Sequence, residues 1–368
     1  MNDTAYMKLA LDLARNTAGQ TSPNPVVGAV AVKNGRIIGM GAHLKAGEPH
    51  AEVHALKMAG EEARDATLYV TLEPCSHYGR TPPCSDLIVR TGLKRVVVAT
   101  TDPNPQVAGK GIERMRKAGI TVDTGLLKEE ADELNKIFFH YISTGKPFVT
   151  LKSAVSLDGK TATVTGESKW ITGAEAREDV HQFRHMHDGI LVGVNTVLKD
   201  NPTLTTRLPE GGKNPVRIIL DSGLRTPEDS LIVTDTAAPV WIFTGADSDA
   251  KKAERFENNG IRIFRMPQKP IKIEEVLKTL AEEEITSLFV EGGSEVHGSF
   301  LKAGAFQQVI TYIAPKLIGG KAAPSSFGGE GIASMSDTVP LVIKEVKQIG
   351  RDLRIIAVPE NPAPSGGD

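Results

Sequence analysis

Cys75 and Cys84 are the two cysteines of a 368-residue chain. Both lie in "LEPCSHYGRTPPC" (Leu72–Cys84), each directly after a proline. The CxxC spacing of a redox pair is missing, so the thiols read as metal ligands. Zinc in a catalytic site takes three protein ligands and keeps a fourth position open. The third ligand is sought upstream in "PHAEVHAL", at His50 or His54. Four apart on a helix, these two can bind metal together, or one of them can simply pack. His50 is followed by Glu52, which gives the order His-x-Glu, Pro-Cys, Cys. That is the pattern of zinc-dependent deaminases, with a longer interval between the cysteines than the usual two residues.

The chemistry fits hydrolysis of an amino group from a ring. Zinc lowers the pKa of its water from about 15.7 to about 7, so hydroxide is available to attack the ring carbon. A carboxyl group must then move a proton to the ring nitrogen and the leaving amine. Glu52 is assigned that role and is not a ligand. Helix starts at His50 and at both cysteines would aim positive dipole ends at the thiolates. The competing reading is a structural zinc site with His77 as fourth ligand. In "SPNPVVGAV", Asn24 stands at the start of a strand, where by itself it reads as a turn residue more than as a ligand contact.

The second half carries a different pattern. It has no G-x-G-x-x-G turn after a strand. "VEGGSEVHGSFL" instead places Gly292, Gly293 and Ser294 between a strand and a helix. Such a turn lets backbone N–H groups approach a phosphate at a helix N-terminus, although as a bare pattern it is weak. Arg184 and Arg207 are candidate phosphate forks or solvated surface charges. His181, His185 and His187 could hold a second metal, but read better as a surface face.

These residues need scaffolds. Up to about residue 145 the chain alternates strands and helices: "VVGAVAV", "ATLYVTL" and "KRVVVATT" as strands, "PHAEVHALKMAG" and "CSDLIVRTG" as helices, and "EEADELNKIFFHYISTG" as one longer helix. "KNGRII" signals a hairpin. Gly145 and Pro147 in "STGKPFVTLKSA" mark a boundary, giving domains 1–145 and 146–359. The second domain reads as α/β, with strands at "FVTLKSAVS", "GILVGVNTVL", "VRIILD", "PVWIFTG", "IRIFRM", "SLFVEGG" and "VITYIAPKLIGG". "ENPAPSGGD" predicts a mobile tail over 360–368. A net charge of −2 speaks against nucleic acid as a partner. No apolar run approaches a membrane span, and the amphipathic N-terminus is not a secretory signal, so a cytoplasmic protein is expected.

Together these motifs resemble the bifunctional riboflavin-biosynthesis deaminase–reductases. "SPNPVVGAV", "HLKAGEPHAEVHAL" and "YVTLEPCSHYGRTPPC" match the deaminase half. "LKSAVSLDGKTA", "GESKWITG", "ILVGVNTVLKDNPTLTTR" and "FVEGGSEVHGSFL" match the reductase half. The resemblance implies a cytidine-deaminase-like α/β/α domain joined to a dihydrofolate-reductase-like α/β domain. It implies zinc and NADPH as cofactors, a small phosphorylated pyrimidine as substrate, and self-association. Ala154, Trp170, Thr196, Asp200 and Ser222 would join Gly292–Ser294 in the NADPH site. Asn24 and His43 would contact the first substrate. Lys152, Ser168, Arg184, Leu204, Arg207 and Glu291 would contact the second. A nucleic-acid or nucleoside deaminase with a noncatalytic second domain is the alternative.

Overall fold

A computed structural model of the chain describes residues 2–76, 78, 82–104 and 108–360. The predicted tail beyond Glu360 and the candidate ligand His77 lie outside the described residues. The chain forms two compact units, Met1–Gly145 and Lys146–Asp368.

The first unit has strands β1 (Gly28–Lys33), β2 (Arg36–Ala42), β3 (Thr67–Leu72), β4 (Arg95–Thr100) and β5 (Thr121–Thr124) in the order β2-β1-β3-β4-β5. Its helices are α1 (Asp3–Arg15), α2 (Ala51–Ala59), α3 (Cys84–Thr91), α4 (Lys110–Lys117), α5 (Lys128–Leu134) and α6 (Lys136–Thr144). Strand periodicity divides the core into two layers. Ala29, Leu68, Val70, Val96 and Val98 pack on the face that carries Ala51, Ala55 and Ile88. The residues between them, Val30, Tyr69 and Val97, meet Met7, Leu11 and Ala131 on the other face. The Asn34–Gly35 turn joins β1 to β2 with positive φ at both residues, as the hairpin signal requires.

Helix α2 lies unusually close to β2. A Cβ on Gly39 would come within 2.1 Å of the Ala55 carbonyl oxygen, and one on Gly41 within 2.4 Å of that of Ala51. Only glycine permits this approach, which brings the α2 N-terminus to the site.

The single long helix expected over "EEADELNKIFFHYISTG" is two helices. The break is Asn135, whose side chain is buried and bonded to the backbone of Val26: Val26 N–H donates to Oδ1 at 2.9 Å, and Nδ2 donates to the Val26 carbonyl at 3.0 Å. A local polar side chain serving a distant backbone outweighs helix continuity here. Asn135→Ala is expected to destabilise the first unit by about 2–4 kcal/mol, because it leaves two backbone groups without partners. Urea unfolding should show this as a lowered midpoint.

The second unit is a nine-stranded sheet in the order β10-β9-β8-β7-β11-β6-β12-β14-β13. Its strands are β6 (Phe148–Ser156), β7 (Gly189–Gly193), β8 (Val216–Leu220), β9 (Val240–Gly245), β10 (Arg262–Met266), β11 (Ser287–Gly292), β12 (Gln308–Ala314), β13 (Leu341–Ile349) and β14 (Asp352–Pro359). The seven strands from β10 to β12 pair in parallel, and the last two add as an antiparallel hairpin. Helices α7 (Ala174–Met186), α8 (Val194–Asp200), α9 (Leu231–Thr234), α10 (Ala250–Asn258), α11 (Ile273–Glu282) and α12 (Ser294–Lys302) fill the connections. Two expected strands are shorter than read: "GILVGVNTVL" turns into α8 at Val194, and "VITYIAPKLIGG" ends at Ala314. The β13–β14 hairpin was not anticipated, because β13 is exposed along nearly its whole length and lacks alternating burial.

Candidate active sites

His50 is the N-cap of α2, and Cys84 is the first residue of α3. Cys75 is not at a helix start, contrary to the sequence expectation. It lies in irregular chain after β3, and its Sγ accepts the Cys84 backbone N–H at 3.2 Å. His50 Nδ1 lies 3.7 Å from Cys75 Sγ and 3.3 Å from Cys84 Sγ, and the three ligand atoms lie within 4.8 Å of one another. Tetrahedral zinc with bonds of about 2.0 Å to nitrogen and 2.3 Å to sulfur would separate N from S by about 3.5 Å. The residues therefore fit zinc in spacing and in donor softness. Among the described residues this is the one such group of His, Cys, Asp and Glu. His54, one turn further along α2, stays out of it, with Nε2 buried and unpartnered.

The electrostatics suit metal binding. The Cys75 thiol is held well below its usual range by a hydrogen bond from Cys84 and by His50. Cys84 is pushed the other way by the Cys75 thiolate and by burial. Glu52, in the first turn of α2, is 3% exposed. Burial pushes its carboxyl above the usual range, against the pull of His50. A buried carboxyl that holds a proton readily is the group a proton shuttle needs.

Asn24 and His43 come together beside these residues. Asn24 Nδ2 meets His43 Nε2 at 3.1 Å, and His43 Nδ1 faces the Pro49 carbonyl at 3.3 Å. The His43 and His50 rings meet edge-on, 5.2 Å apart. Asn24 is thus both a turn residue and the hydrogen-bond partner of a histidine that packs against His50.

Sequence reading missed Glu73. Its buried carboxylate accepts the backbone N–H groups of Gly109 at 2.9 Å, Gly111 at 3.0 Å and Ile112 at 3.3 Å. It ties the start of α4 to the chain two residues before Cys75. A charged residue between a buried strand and Pro-Cys was the available signal.

In the second unit, ligand-binding candidates gather at the carboxyl ends of parallel strands, the usual place in such sheets. Glu291 on β11 is the centre. Arg184 of α7 donates to it twice, Nε to Oε1 at 2.5 Å and Nη2 to Oε2 at 3.0 Å. Lys152 of the adjacent β6 lies 3.8 Å away. Burial alone would raise the Glu291 pKa, but the Arg184 and Lys152 charges hold it at about 2. Burial holds the Lys152 pKa below its usual value. Arg184 also donates Nη1 to the Thr205 carbonyl at 2.8 Å. Its fork is therefore largely committed to protein, whereas Arg207 is exposed and turns Nη1 to the Thr203 and Thr205 hydroxyls. Leu204 is buried with φ 54°.

Gly293 caps α12 with φ 83°, a conformation that favours glycine, and a Cβ there would lie 3.4 Å from Thr196 Oγ1. Ser294 opens α12, Thr196 and Asp200 lie on α8 after β7, and Ser222 follows β8. Ala154 lies on β6 opposite Tyr312. Trp170 is 62% exposed, with the Arg177 guanidinium 4.5 Å from its ring centroid. Lys169 Nζ reaches the Asp200 carbonyl at 3.4 Å and so links the Ser168–Trp170 segment to α8. A glycine turn at a nine-residue helix start, beside strand ends, fits a dinucleotide phosphate.

His181, His185 and His187 do not form the expected surface face. His181 and His187 are buried, and His181 and His185 bond to backbone.

Comparison with known proteins accounts for both units. Residues 1–100 match the cytidine and deoxycytidylate deaminase zinc-binding region, and residues 147–355 match the RibD C-terminal domain. The riboflavin biosynthesis protein RibD of Bacillus amyloliquefaciens is 57% identical over 97% of this chain and 96% of its own length. This chain belongs to the RibD family. RibD of Escherichia coli is 42% identical over 96% of this chain and 98% of its own. The structure of Acinetobacter baumannii RibD superposes with a TM-score of 0.88 at 38% identity, over 98% of this chain and 99% of that one. A deaminase/reductase from Thermotoga maritima gives 0.86 at 39%, over 97% and 98%. The protein is therefore a bifunctional deaminase–reductase of riboflavin biosynthesis, with a cytidine-deaminase-like first domain and a dihydrofolate-reductase-like second. Among the described residues of this RibD member, no helix is long and apolar enough to cross a membrane.

Proposed function

We propose that the first unit hydrolyses the 2-amino group of 2,5-diamino-6-(5-phosphoribosylamino)pyrimidin-4-one. The second unit then reduces the ribosyl chain of the product with NADPH, giving 5-amino-6-(5-phosphoribitylamino)uracil. One observation carries this reading: a single chain holds the His50–Cys75–Cys84 group beside buried Glu52, and a separate Lys152–Arg184–Glu291 cluster at strand ends. The Thermotoga protein is described as acting on a diaminohydroxyphosphoribosylaminopyrimidine and on 5-amino-6-(5-phosphoribosylamino)uracil, which supports the same pair of substrates here.

In the first unit His50, Cys75 and Cys84 would hold zinc. When bound, zinc supplies a water acidic enough to attack at neutral pH. Glu52 takes one proton of the attacking water on its carboxylate and passes it to the ring nitrogen. It then takes the second from the added hydroxyl and passes it to the amino group, which leaves as ammonia as the carbonyl forms. Asn24 and His43 orient the pyrimidine. Their mutual bond keeps the His43 ring fixed, and burial holds its pKa down, so it acts as a neutral contact. Cys75→Ser is expected to lower bound zinc from about one per chain to a trace, as measured by metal analysis of the purified protein.

In the second unit NADPH supplies the hydride. Gly292, Gly293, Ser294, Thr196, Asp200, Ser222, Ala154 and Trp170 hold the cofactor. Lys152, Ser168, Leu204 and Glu291 position the ribosyl chain, and Arg184 keeps Glu291 ionised and oriented. Arg207 binds the substrate phosphate. Self-association is proposed on β13, an exposed edge strand carrying Leu341, Ile343 and Val346. A cytoplasmic location completes the reading.

The test uses one purified, metal-analysed sample. Supplied with the diaminopyrimidinone ribosyl phosphate, it should release ammonia, and NADPH should be oxidised only after deamination. Ammonia release without NADPH oxidation would overturn the assignment of the second unit.

A further inference from the structure

The histidines of α7 have a use that neither zinc nor hydride transfer explains. His181, Arg184 and His185 stand at i, i+3 and i+4, so they share one face of the helix. All three bond to the backbone of the same segment. His181 Nδ1 accepts the Arg207 N–H at 3.2 Å, and His185 Nδ1 accepts the Lys213 N–H at 2.9 Å. Arg184 donates to the Thr205 carbonyl at 2.8 Å. The segment is irregular and includes Leu204 at positive φ. Its conformation is therefore held from outside by side chains.

We infer that His181 is a positioning residue of the reductase: through Nδ1 it holds the Arg207 backbone, so that the Arg207 guanidinium reaches the substrate phosphate. This rests on the reading of Arg207 as the phosphate ligand. The bond fixes the ring as the tautomer with its proton on Nε2. Burial, with the Arg184 and Arg207 charges, holds the His181 pKa at about 4, so Nδ1 keeps its lone pair at neutral pH. His181 is buried, whereas Arg207 is exposed. The anchor is thus inside and the phosphate ligand is at the rim.

The experiment measures reductase kinetics of the full chain on the phosphorylated pyrimidine and on its dephosphorylated counterpart. The variants are His181→Ala, His181→Asn, His181→Gln and Arg207→Gln. Asn carries its carbonyl oxygen as many bonds from the backbone as Nδ1, whereas Gln reaches to Nε2. His181→Ala is expected to raise KM for the phosphorylated substrate about tenfold, the effect of one lost positioning hydrogen bond, with kcat within about twofold. The dephosphorylated substrate should show no such penalty, and His181→Asn should restore KM. Thermal unfolding and ammonia release of each variant report that the chain is folded. Equal penalties on both substrates, or rescue by Gln instead of Asn, would overturn the inference. If Arg207→Gln abolishes phosphate discrimination and His181→Ala leaves it intact, the inference alone fails. If Arg207→Gln leaves discrimination intact, the reading of Arg207 fails and the inference with it.

Discussion

Glu52→Gln is expected to retain zinc and to lose ammonia release by about 10²–10⁴-fold, the range for loss of a general acid–base group. That corresponds to about 3–5 kcal/mol of activation barrier. The reasons are geometric. Glu52 lies in the first turn of α2, two residues after the N-cap His50, and its carboxyl is buried beside the thiol group. Glutamine fills the same space and keeps a hydrogen-bonding end, so the fold and the His50–Cys75–Cys84 group should persist. It cannot carry a proton from water to the amine. NADPH oxidation on substrate that is already deaminated should be unchanged, because the Lys152–Arg184–Glu291 cluster belongs to the other unit. A parallel fall of both activities in the same preparation would show that the two sites are not independent.

Glu291→Ala is expected to cost the second unit about 3–5 kcal/mol, the range for removing one partner of a buried ion pair. For a unit of this size that is a fall of about 6–20 °C in its unfolding midpoint. The side chains of Glu291, Arg184 and Lys152 are 10%, 11% and 15% exposed, so water cannot replace the lost carboxylate. Arg184 and Lys152 would then face each other as unpaired cations, and Lys152, already held low by burial, would shed its proton further. The wild-type pH dependence follows from the same pair. Glu291 has a pKa of about 2 when folded, below the value of about 4.3 expected in an unfolded chain. Its contribution is therefore fully present above pH of about 4.3 and is lost as pH falls toward 2. Urea unfolding of the second unit between these pH values should show a slope that Glu291→Gln lacks.

Some elements were legible because their signal is local. The Asn34–Gly35 hairpin, the helix stop at Gly92 and the buried runs of β3 and β4 follow from turn chemistry and apolar patterning over a few residues. Others depended on distant partners. The break at Asn135 exists because Val26 needs a hydrogen-bonding partner. The turn from β7 into α8 falls inside an apolar run that serves both states equally well. The exposed strand β13 has no burial pattern, and its pairing with β14 defines it.

The site residues divide in the same way. Residue type and order alone named His50, Glu52, Cys75 and Cys84, because zinc hydrolysis demands thiolate, imidazole and carboxyl, and few arrangements supply them. The His-x-Glu spacing chose His50 over His54, and the N-cap position brings the His50 ring to both sulfurs. The roles of Glu73, Arg184 and His181 came from tertiary structure. Each is a polar side chain whose partners lie far along the chain, at Gly109–Ile112, Glu291 and Arg207. Sequence determines which chemistry a residue can perform. Burial and partner geometry decide which of those capacities is used, because they set both the cost of an unpaired charge and the direction of each lone pair.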